Sequence, residues 1–126
     1  DNEIPVNSII IFDDCAFDKT TKFSNTLCRL MSQGRHINCS VLITAQKLTQ
    51  LNTTIRSNCS GAILFSNSAR ELDAISDDFN YLSNKRDFIR LFRGATKERN
   101  SFLVVNFSND DLYLDSNFKK IEIEST

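Results

Sequence analysis

The sequence predicts an α/β fold of three layers, in which a parallel, doubly wound sheet carries helices on both faces. A continuous apolar, β-branched run at residues 8–12 is typical of a strand that is buried on both faces. Over residues 20–33 the apolar side chains change to a helical spacing, and Gly34 is placed to end that helix. A second apolar run follows at 39–45. Strand, helix and strand therefore form a βαβ unit, whose two strands must be parallel.

The rest of the chain continues this alternation of strands and helices. One short helical turn is expected around Ile55 and Arg56. The other predicted elements are, in chain order, a buried strand at 61–66, a helix at 68–79, a helix that Ser83 caps and that runs to about Phe92 or Arg93 before Gly94 ends it, a strand at 101–107, and an edge strand at 118–124.

Length and composition limit the class of protein. The 126 residues suit one domain, and ten Phe within a hydrophobic content of 40% supply a core, which disfavours intrinsic disorder. The first residues form neither a basic nor an apolar leader, and no apolar run approaches the roughly 18 residues that a membrane span needs. We therefore expect a soluble, unexported protein. The only Met is Met31, so we also expect the chain to be an excerpt.

Charge and cysteine usage disfavour several kinds of site. The formal net charge of -1 gives no global attraction to nucleic acid, so any such contact requires a local basic patch. The cysteines at 15, 28, 39 and 59 form no CxxC pair, which favours reduced thiols in a reducing compartment over a disulfide framework. With His36 as the single histidine, neither a zinc site nor a Ser/His/Asp or Cys/His arrangement is recognisable.

Three polar residues follow two neighbouring predicted strands. Asp13 and Asp14 end the first strand, and Gln46 follows the second, so all three are expected at the edge of the sheet where ligands of α/β folds bind. In a nucleotide site, Asp13 would hold hydrated Mg²⁺ and Asp14 would orient or deprotonate a water. The amide of Gln46 would contact the γ-phosphate and the attacking water. The simpler alternative is that the aspartates cap a turn and that Gln46 is a solvated loop residue.

Three basic residues are predicted in the two loops nearest that edge, namely Arg35, His36 and Arg56. A guanidinium there would neutralise charge on a transferring phosphoryl group. For His36, a hydrogen-bonded positioning role is favoured over that of a general base. A purely structural role is the alternative for each of them.

The helix predicted after Ser83 carries a basic stripe. Its members fall at helical spacing, opposite an apolar side of the same helix, and are Arg86, Arg90, Arg93 and Lys97. The stripe is compatible with a solvated helix face, and also with contact to a phosphate backbone or to an acidic neighbouring subunit. An end of the helix at Gly94 would leave Lys97 outside it.

Four segments together resemble a known family: IIIFDD, the helix that follows it, GRHINCSVLITAQ, and the polar loop with TIRSN. Their order and spacing are similar to the C-terminal half of the genome-packaging ATPases of poxviruses and other large nucleocytoplasmic DNA viruses, which virophages and polinton-like elements share. These enzymes belong to the FtsK/HerA-like superfamily of DNA-translocating P-loop ATPases. The resemblance is good over residues 4–66, and looser at 101–107 and at Asn117 and Phe118.

The resemblance implies roles for individual residues. Position by position it implies the Walker B pair at Asp13 and Asp14, the sensor glutamine at Gln46, and a loop motif of the family at Gly34, Arg35 and His36. It also implies that Arg56 is the first candidate for an arginine finger that acts across a subunit interface, with Arg35 second.

The activity that the resemblance implies is Mg²⁺-dependent ATP hydrolysis by an oligomeric ring that moves viral double-stranded DNA into capsids without sequence preference. Capsid or portal-vertex proteins would be its further partners, in the virion or at a cytoplasmic site of viral assembly. Two alternatives remain open. One is a catalytically inactive α/β scaffold or binding module that descends from the family, and the other is a different DNA translocase or helicase of the superfamily.

One motif of that superfamily is missing from the sequence. No GxxxxGK[ST] phosphate-binding loop, or Walker A motif, is present, because the only glycines are Gly34, Gly61 and Gly94. In the superfamily the Walker A strand lies between the counterparts of 39–45 and 61–66. We therefore expect residues 1–126 to be the C-terminal part of one P-loop ATPase domain, from Walker B onward and without a second domain. By itself this part is expected to have no useful ATP affinity.

Overall fold

A computed structural model describes residues 6–14, 21–107 and 112–122, with the side chains of 21–24 and 34–35 outside the description. Its strands and α-helices are, in chain order, β1 (Ser8–Asp13), α1 (Thr21–Gln33), β2 (Cys39–Thr44), α2 (Thr53–Ser57), β3 (Gly61–Phe65), α3 (Ala69–Phe79), α4 (Lys85–Ala95), β4 (Phe102–Asn106) and β5 (Tyr113–Leu114). Short 3-10 turns lie at Gly34–Ile37 and Leu48–Gln50. The chain divides between Cys59 and Ser60 into two compact units. The fold is therefore mixed α/β, as predicted.

The first unit contains the predicted βαβ arrangement. β1 and β2 pair in parallel, from Ser8 opposite Cys39 to Asp13 opposite Thr44. The ladder extends beyond the strands, because the amide of Asp14 donates to the carbonyl of Thr44 at 3.3 Å. Parallel pairing brings the carboxyl ends of both strands to the same edge of the sheet.

β1 is much more exposed than its composition predicts. On one face of the pair, Ile9 and Ile11 of β1 are 61% and 58% exposed, and Leu42 of β2 is 46% exposed. On the other face Phe12 and Val41 are half-buried. The prediction of a strand buried on both faces is therefore wrong for the described part of the chain. An apolar strand face is stable in water only when other residues pack on it, and none of the described residues packs on the isoleucine face.

A side chain from the loop after β2 joins the two helices of the first unit. Asn52 caps α2, because its Oδ1 accepts from the amide of Ile55 at 2.9 Å. Its Nδ2 also donates to the Sγ of Cys28 on α1 at 3.5 Å. Ile55 is buried. The short helical turn expected around residue 55 is therefore present and is held against α1.

The predicted apolar face of α1 is present in part, since Leu27 is buried and Leu30 and Met31 are half-buried. The side chain of Phe23 lies outside the description.

The described cysteines are free thiols. Cys28, Cys39 and Cys59 are half-buried, whereas Cys15 lies outside the described residues. Burial raises the pKa of the Cys59 thiol.

In the second unit the strands run antiparallel, which differs from the predicted parallel sheet. β3 pairs with β4 from Gly61 opposite Asn106 to Phe65 opposite Phe102, and β4 pairs with β5. Two helices, α3 and α4, separate β3 from β4. A single crossover helix returns the chain to the amino end of the preceding strand, which leads to parallel pairing. Here the second helix carries the chain back to the carboxyl end of β3. There β4 begins, and its direction is reversed.

The core of the second unit lies on one face of this sheet. Its buried apolar side chains are Leu72, Ile75 and Phe79 from α3, Phe88 and Phe92 from α4, and Leu103, Val105 and Tyr113 from β4 and β5. β3 approaches β4 closely at Gly61, where an added Cβ would lie 2.8 Å from the carbonyl oxygen of Val105. On the opposite face Ile63 and Phe65 are about half exposed, at 52% and 55%.

The ends of α4 differ from those predicted. Asn84, rather than Ser83, is the N-cap, because its side chain accepts from the amide of Asp87 at 2.8 Å. The helix also passes through Gly94 and ends at Ala95. A glycine inside a helix lowers its stability by roughly 1 kcal/mol relative to alanine, and the helix nevertheless continues through Gly94. Its C-cap is Thr96, whose amide and hydroxyl both donate to the carbonyl of Phe92.

The edge strand predicted at 118–124 is reduced to a single bridge between Lys120 and Leu114, with 123–126 outside the described residues. The strand that pairs with β4 lies earlier, at Tyr113–Leu114. Between them the carboxylate of Asp115 accepts from the amides of Asn117 and Lys119, at 2.8 and 3.0 Å. This turn reverses the chain before the alternating residues begin, and 118–122 form no regular strand beyond that bridge.

The buried hydroxyl of Tyr113 completes the end of α3. It donates to the carbonyl of Phe79 at 2.5 Å and accepts from the amide of Tyr81 at 2.9 Å. We expect Tyr113→Phe to lower the free energy of unfolding by about 2 kcal/mol, because it leaves two backbone groups without a partner. Urea unfolding monitored by circular dichroism measures this change.

The exposed Tyr81 supplies the control, since Tyr81→Phe removes a hydroxyl without a hydrogen bond to the described residues. Burial also raises the pKa of Tyr113, so its contribution to stability is complete below about pH 10, the ordinary value, and is lost as the pH rises further. Tyr113→Phe should remove that alkaline loss. Equal stability of the two variants would contradict the assignment.

Candidate functional site

The carboxyl edge of the β1–β2 pair is organised around one hydroxyl group. Thr44, the last residue of β2, lies opposite Asp13 in the register. Its Oγ1 donates to Oδ1 of Asp13 at 2.6 Å and accepts from the backbone amide of Asp14 at 3.0 Å. Both aspartates are exposed to solvent. The two adjacent carboxylates predicted from the sequence are therefore at the surface and joined to the neighbouring strand.

Asp14 has a left-handed backbone conformation, with φ of 56°. This region costs most residues about 1 kcal/mol, although aspartate and asparagine tolerate it better than other side chains. The chain therefore turns sharply directly after β1. The amide at this turn is held from two sides, by the hydroxyl and by the carbonyl of Thr44.

Gln46 lies two residues beyond the end of β2, in a bend at the same edge. Its side chain is exposed and makes no hydrogen bond to the described residues. The structure therefore places Asp13, Asp14 and Gln46 at one edge of the sheet, as the sequence predicts.

Arg35 and His36 lie at the amino end of β2, opposite the carboxyl end where these three residues lie. Both belong to the 3-10 turn at Gly34–Ile37, which leads into the amino end of β2. The six residues of β2 separate this turn from the carboxyl edge by about 17 Å. Their predicted placement near the carboxyl edge is therefore wrong, because the loops that enter and leave a strand lie at its two different ends. His36 is exposed, and the side chain of Arg35 lies outside the description.

Arg56 follows β2 on the other side, within α2. The chain reaches α2 after it leaves the carboxyl edge, and the cap by Asn52 defines where the helix begins. The Arg56 side chain is half-buried, next to the buried Ile55.

The basic stripe of the second unit is present on α4. Arg86, Arg90 and Arg93 are exposed and make no hydrogen bond or ion pair with the described residues. Phe88 and Phe92 are buried on the other side of the helix, as predicted. Lys97 is also exposed but lies beyond the helix end. We use the name α4 arginine row for Arg86, Arg90 and Arg93.

The donor set at the carboxyl edge fits a hydrated magnesium ion. Mg²⁺ retains several waters and needs only one or two carboxylates from a protein, which Asp13 and Asp14 provide. Within the described ranges, no group of three or more His, Cys, Asp or Glu residues comes together as a metal cage would require. Asp13 and Asp14 would therefore hold a hydrated ion rather than form a closed cage.

Thr44 is not among the residues that the sequence predicts for this site. It falls within the apolar run at 39–45, as one polar residue near its end. A hydroxyl at the end of a strand, two residues before Gln46, is a weak signal by itself. The signal becomes specific only when the register places Thr44 opposite Asp13.

Solved structures with a similar fold include viral packaging enzymes. The DNA-packaging ATPase B204 from Sulfolobus Turreted Icosahedral Virus is 16% identical, with a TM-score of 0.61, and the match covers 81% of this chain and 48% of that chain. The genome packaging NTPase B204 from Sulfolobus turreted icosahedral virus 2, in complex with AMPPCP, is 14% identical, with a TM-score of 0.59, and covers 81% and 50%. The chain thus spans about half the length of these structures. Comparison with curated proteins gives no match.

The fold of this chain is thus similar to about half of the fold of viral genome-packaging enzymes. In this chain two aspartates and a glutamine lie at the carboxyl ends of the β1–β2 pair. The sequence model of the poxvirus A32 protein family matches residues 2–121, so the chain belongs to that family. Among the described residues, no helix has the length and apolar character needed to cross a membrane.

Proposed function

We propose that the chain is the C-terminal part, from Walker B onward, of an ATP-hydrolysing motor that translocates viral double-stranded DNA into capsids. The observation that carries this proposal is the convergence of Asp13, Asp14 and Gln46 at the carboxyl edge of a parallel strand pair. Membership of the poxvirus A32 protein family supports the same function. So does the fold shared with packaging enzymes whose structures contain ATP-gammaS or AMPPCP.

Each residue of the edge has a separate task in this proposal. Asp13 would hold a hydrated Mg²⁺, and Asp14 accepts a proton from the attacking water. Gln46 orients that water and contacts the γ-phosphate. When bound, Mg²⁺ would neutralise charge on the phosphate oxygens.

A phosphate-binding segment must complete this site. Among the described residues, β2 pairs only with β1 and β3 pairs only with β4, so that each strand has an open edge. Open strand edges are unfavourable in water. We propose that a Walker A strand completes one doubly wound P-loop ATPase domain. Without the amides and lysine of that loop, this chain alone has no useful ATP affinity.

The catalytic arginine comes from a neighbouring subunit of a ring. Arg56 is the first candidate because α2 follows the carboxyl edge of β2 along the chain. Arg35 is second, and its place near the amino end of β2 leaves it a role only across a subunit interface. His36 lies beside it and is proposed to position the nucleotide-binding loop of that neighbour. We place this ring at the portal vertex of the virion or at a cytoplasmic assembly site, where capsid or portal proteins bind it. A reducing compartment would keep its free thiols reduced.

The α4 arginine row is the proposed contact to the DNA backbone, with Lys97 beside it. Its members extend over about 10 Å of helix axis, and duplex DNA carries about one charge per 1.7 Å. We expect a combined change of Arg86, Arg90 and Arg93 to Gln to weaken binding of the assembled protein to DNA about 10- to 100-fold at 0.1 M salt. The slope of log K against log salt should fall by about 2.7.

A control variant changes the same number of charges elsewhere, at the exposed Arg29, Arg70 and Lys119. Titration of a labelled duplex at several salt concentrations measures both quantities. Equal losses in the two variants would show that only net charge matters. The row would then be a solvated face or a contact between subunits.

The function as a whole is tested with the assembled protein, in which this chain is present together with its Walker A segment. ATP hydrolysis is measured with and without duplex DNA. We expect hydrolysis that DNA stimulates, and movement along the duplex without separation of its strands. Absence of hydrolysis would favour an inactive scaffold, and strand separation would favour a helicase.

A further inference from the structure

The hydroxyl of Thr44 contacts both aspartates of the candidate site. It donates to Oδ1 of Asp13 at 2.6 Å and accepts from the amide of Asp14 at 3.0 Å. A hydroxyl can donate one hydrogen bond, and here the carboxylate of Asp13 accepts it. The direction of both bonds is therefore determined by chemistry.

We propose that Thr44 is a positioning residue for ATP hydrolysis. The proposal rests on the proposed function, since it assigns Thr44 a role in the same site. The bond to Asp13 involves an ionised acceptor, so it is short and directional, and it restricts rotation of that carboxylate. The bond to Asp14 holds the amide of a residue whose backbone is left-handed. One side chain thus sets the direction of the metal-binding carboxylate and the turn that presents the general base.

The position of Thr44 explains why a hydroxyl from another strand is needed. Asp13 is the last residue of β1, and Asp14 lies beyond it, where the regular ladder ends. A site at the end of a strand is held less firmly than one within a sheet. Thr44 extends the connection between β1 and β2 by one residue, to the point where the chemistry takes place.

The test uses two substitutions at this position in the assembled ATPase. Thr44→Val keeps the shape and the strand preference of threonine but removes the hydroxyl, whereas Thr44→Ser keeps the hydroxyl. Because Thr44 is exposed, valine is expected to leave the fold intact. We expect kcat of Thr44→Val to fall about tenfold, with KM for ATP within about twofold, and more Mg²⁺ to be needed for half-maximal activity. Thr44→Ser should stay within about twofold of the parent.

The control is Ser40→Ala, which removes a hydroxyl from the same face of β2 at a distance from the aspartates. The positioning role is overturned if Thr44→Val has the kcat and the Mg²⁺ dependence of the parent. It is also overturned if Thr44→Ser loses as much as Thr44→Val, since the methyl group would then be the important part. If Thr44→Val fails to fold by circular dichroism, Thr44→Ala, which also lacks the hydroxyl, replaces it, with the same expected fall in kcat and the same rise in Mg²⁺ requirement.

Asp13→Asn in the same assay separates the two levels of inference. If Asp13→Asn leaves hydrolysis intact, the proposed site itself is wrong. If Asp13→Asn removes hydrolysis and Thr44→Val does not, the function stands and the role of Thr44 is refuted.

Discussion

Replacement of Asp14 by asparagine is expected to slow ATP hydrolysis by the assembled protein about 10³-fold, with nucleotide affinity nearly unchanged. The reason is that asparagine has the shape of aspartate but cannot accept a proton from the attacking water. It also tolerates the left-handed backbone at this position, so the turn after β1 is preserved. The measurement is kcat under saturating ATP, together with direct titration of a fluorescent ATP analogue.

The matched control is Asp77→Asn, which makes the same chemical change at an exposed position on α3. It should retain the activity of the parent. If Asp14→Asn also keeps its kcat within about twofold, Asp14 is not the general base. The two aspartates would then be the cap of a turn, which is the simpler alternative that their pattern in the sequence allows.

Removal of the Arg56 guanidinium is expected to have an effect at least as large. An arginine that neutralises the transition state of phosphoryl transfer contributes about 10³- to 10⁵-fold to kcat. We expect Arg56→Ala to show a loss of about this size, and Arg35→Ala a much smaller one. Arg70→Ala, at an exposed position on α3, is the control for loss of a positive charge. Unchanged hydrolysis in Arg56→Ala, with complete loss in Arg35→Ala, would reverse the ranking.

Mixed assemblies determine whether this arginine acts across an interface. Subunits with Arg56→Ala keep a complete Asp14 site, and subunits with Asp14→Asn keep the arginine. If the arginine acts on a neighbouring subunit, mixing the two inactive proteins should restore part of the activity, because some interfaces combine an intact Asp14 with an intact Arg56. If Arg56 acts within its own subunit, every site in the mixture stays defective and no activity returns.

Much of the local structure could be predicted from neighbouring residues alone. The apolar run at 8–12 and the helical spacing at 20–33 are local patterns, and the structure contains β1 and α1 there. Of the edge strand predicted at 118–124, the described residues 118–122 form no regular strand, because a turn built on the side chain of Asp115 precedes them. Local alternation indicates the ability to form a strand, but pairing also requires a free partner edge in register.

The candidate site shows the same division. The sequence alone determined that two carboxylates and an amide follow two strands that a single helix connects. Because that connection allows only parallel pairing, the three residues had to lie at the same end of the strand pair. Chain order also requires that Arg35 and His36, which precede β2, lie at its amino end. Tertiary structure decided two further points, namely that Thr44 is opposite Asp13 and that β4 runs against β3. These depend on register and on contacts between residues distant in sequence. The free energy of such contacts comes from the whole packed unit, so no local pattern in the sequence encodes them.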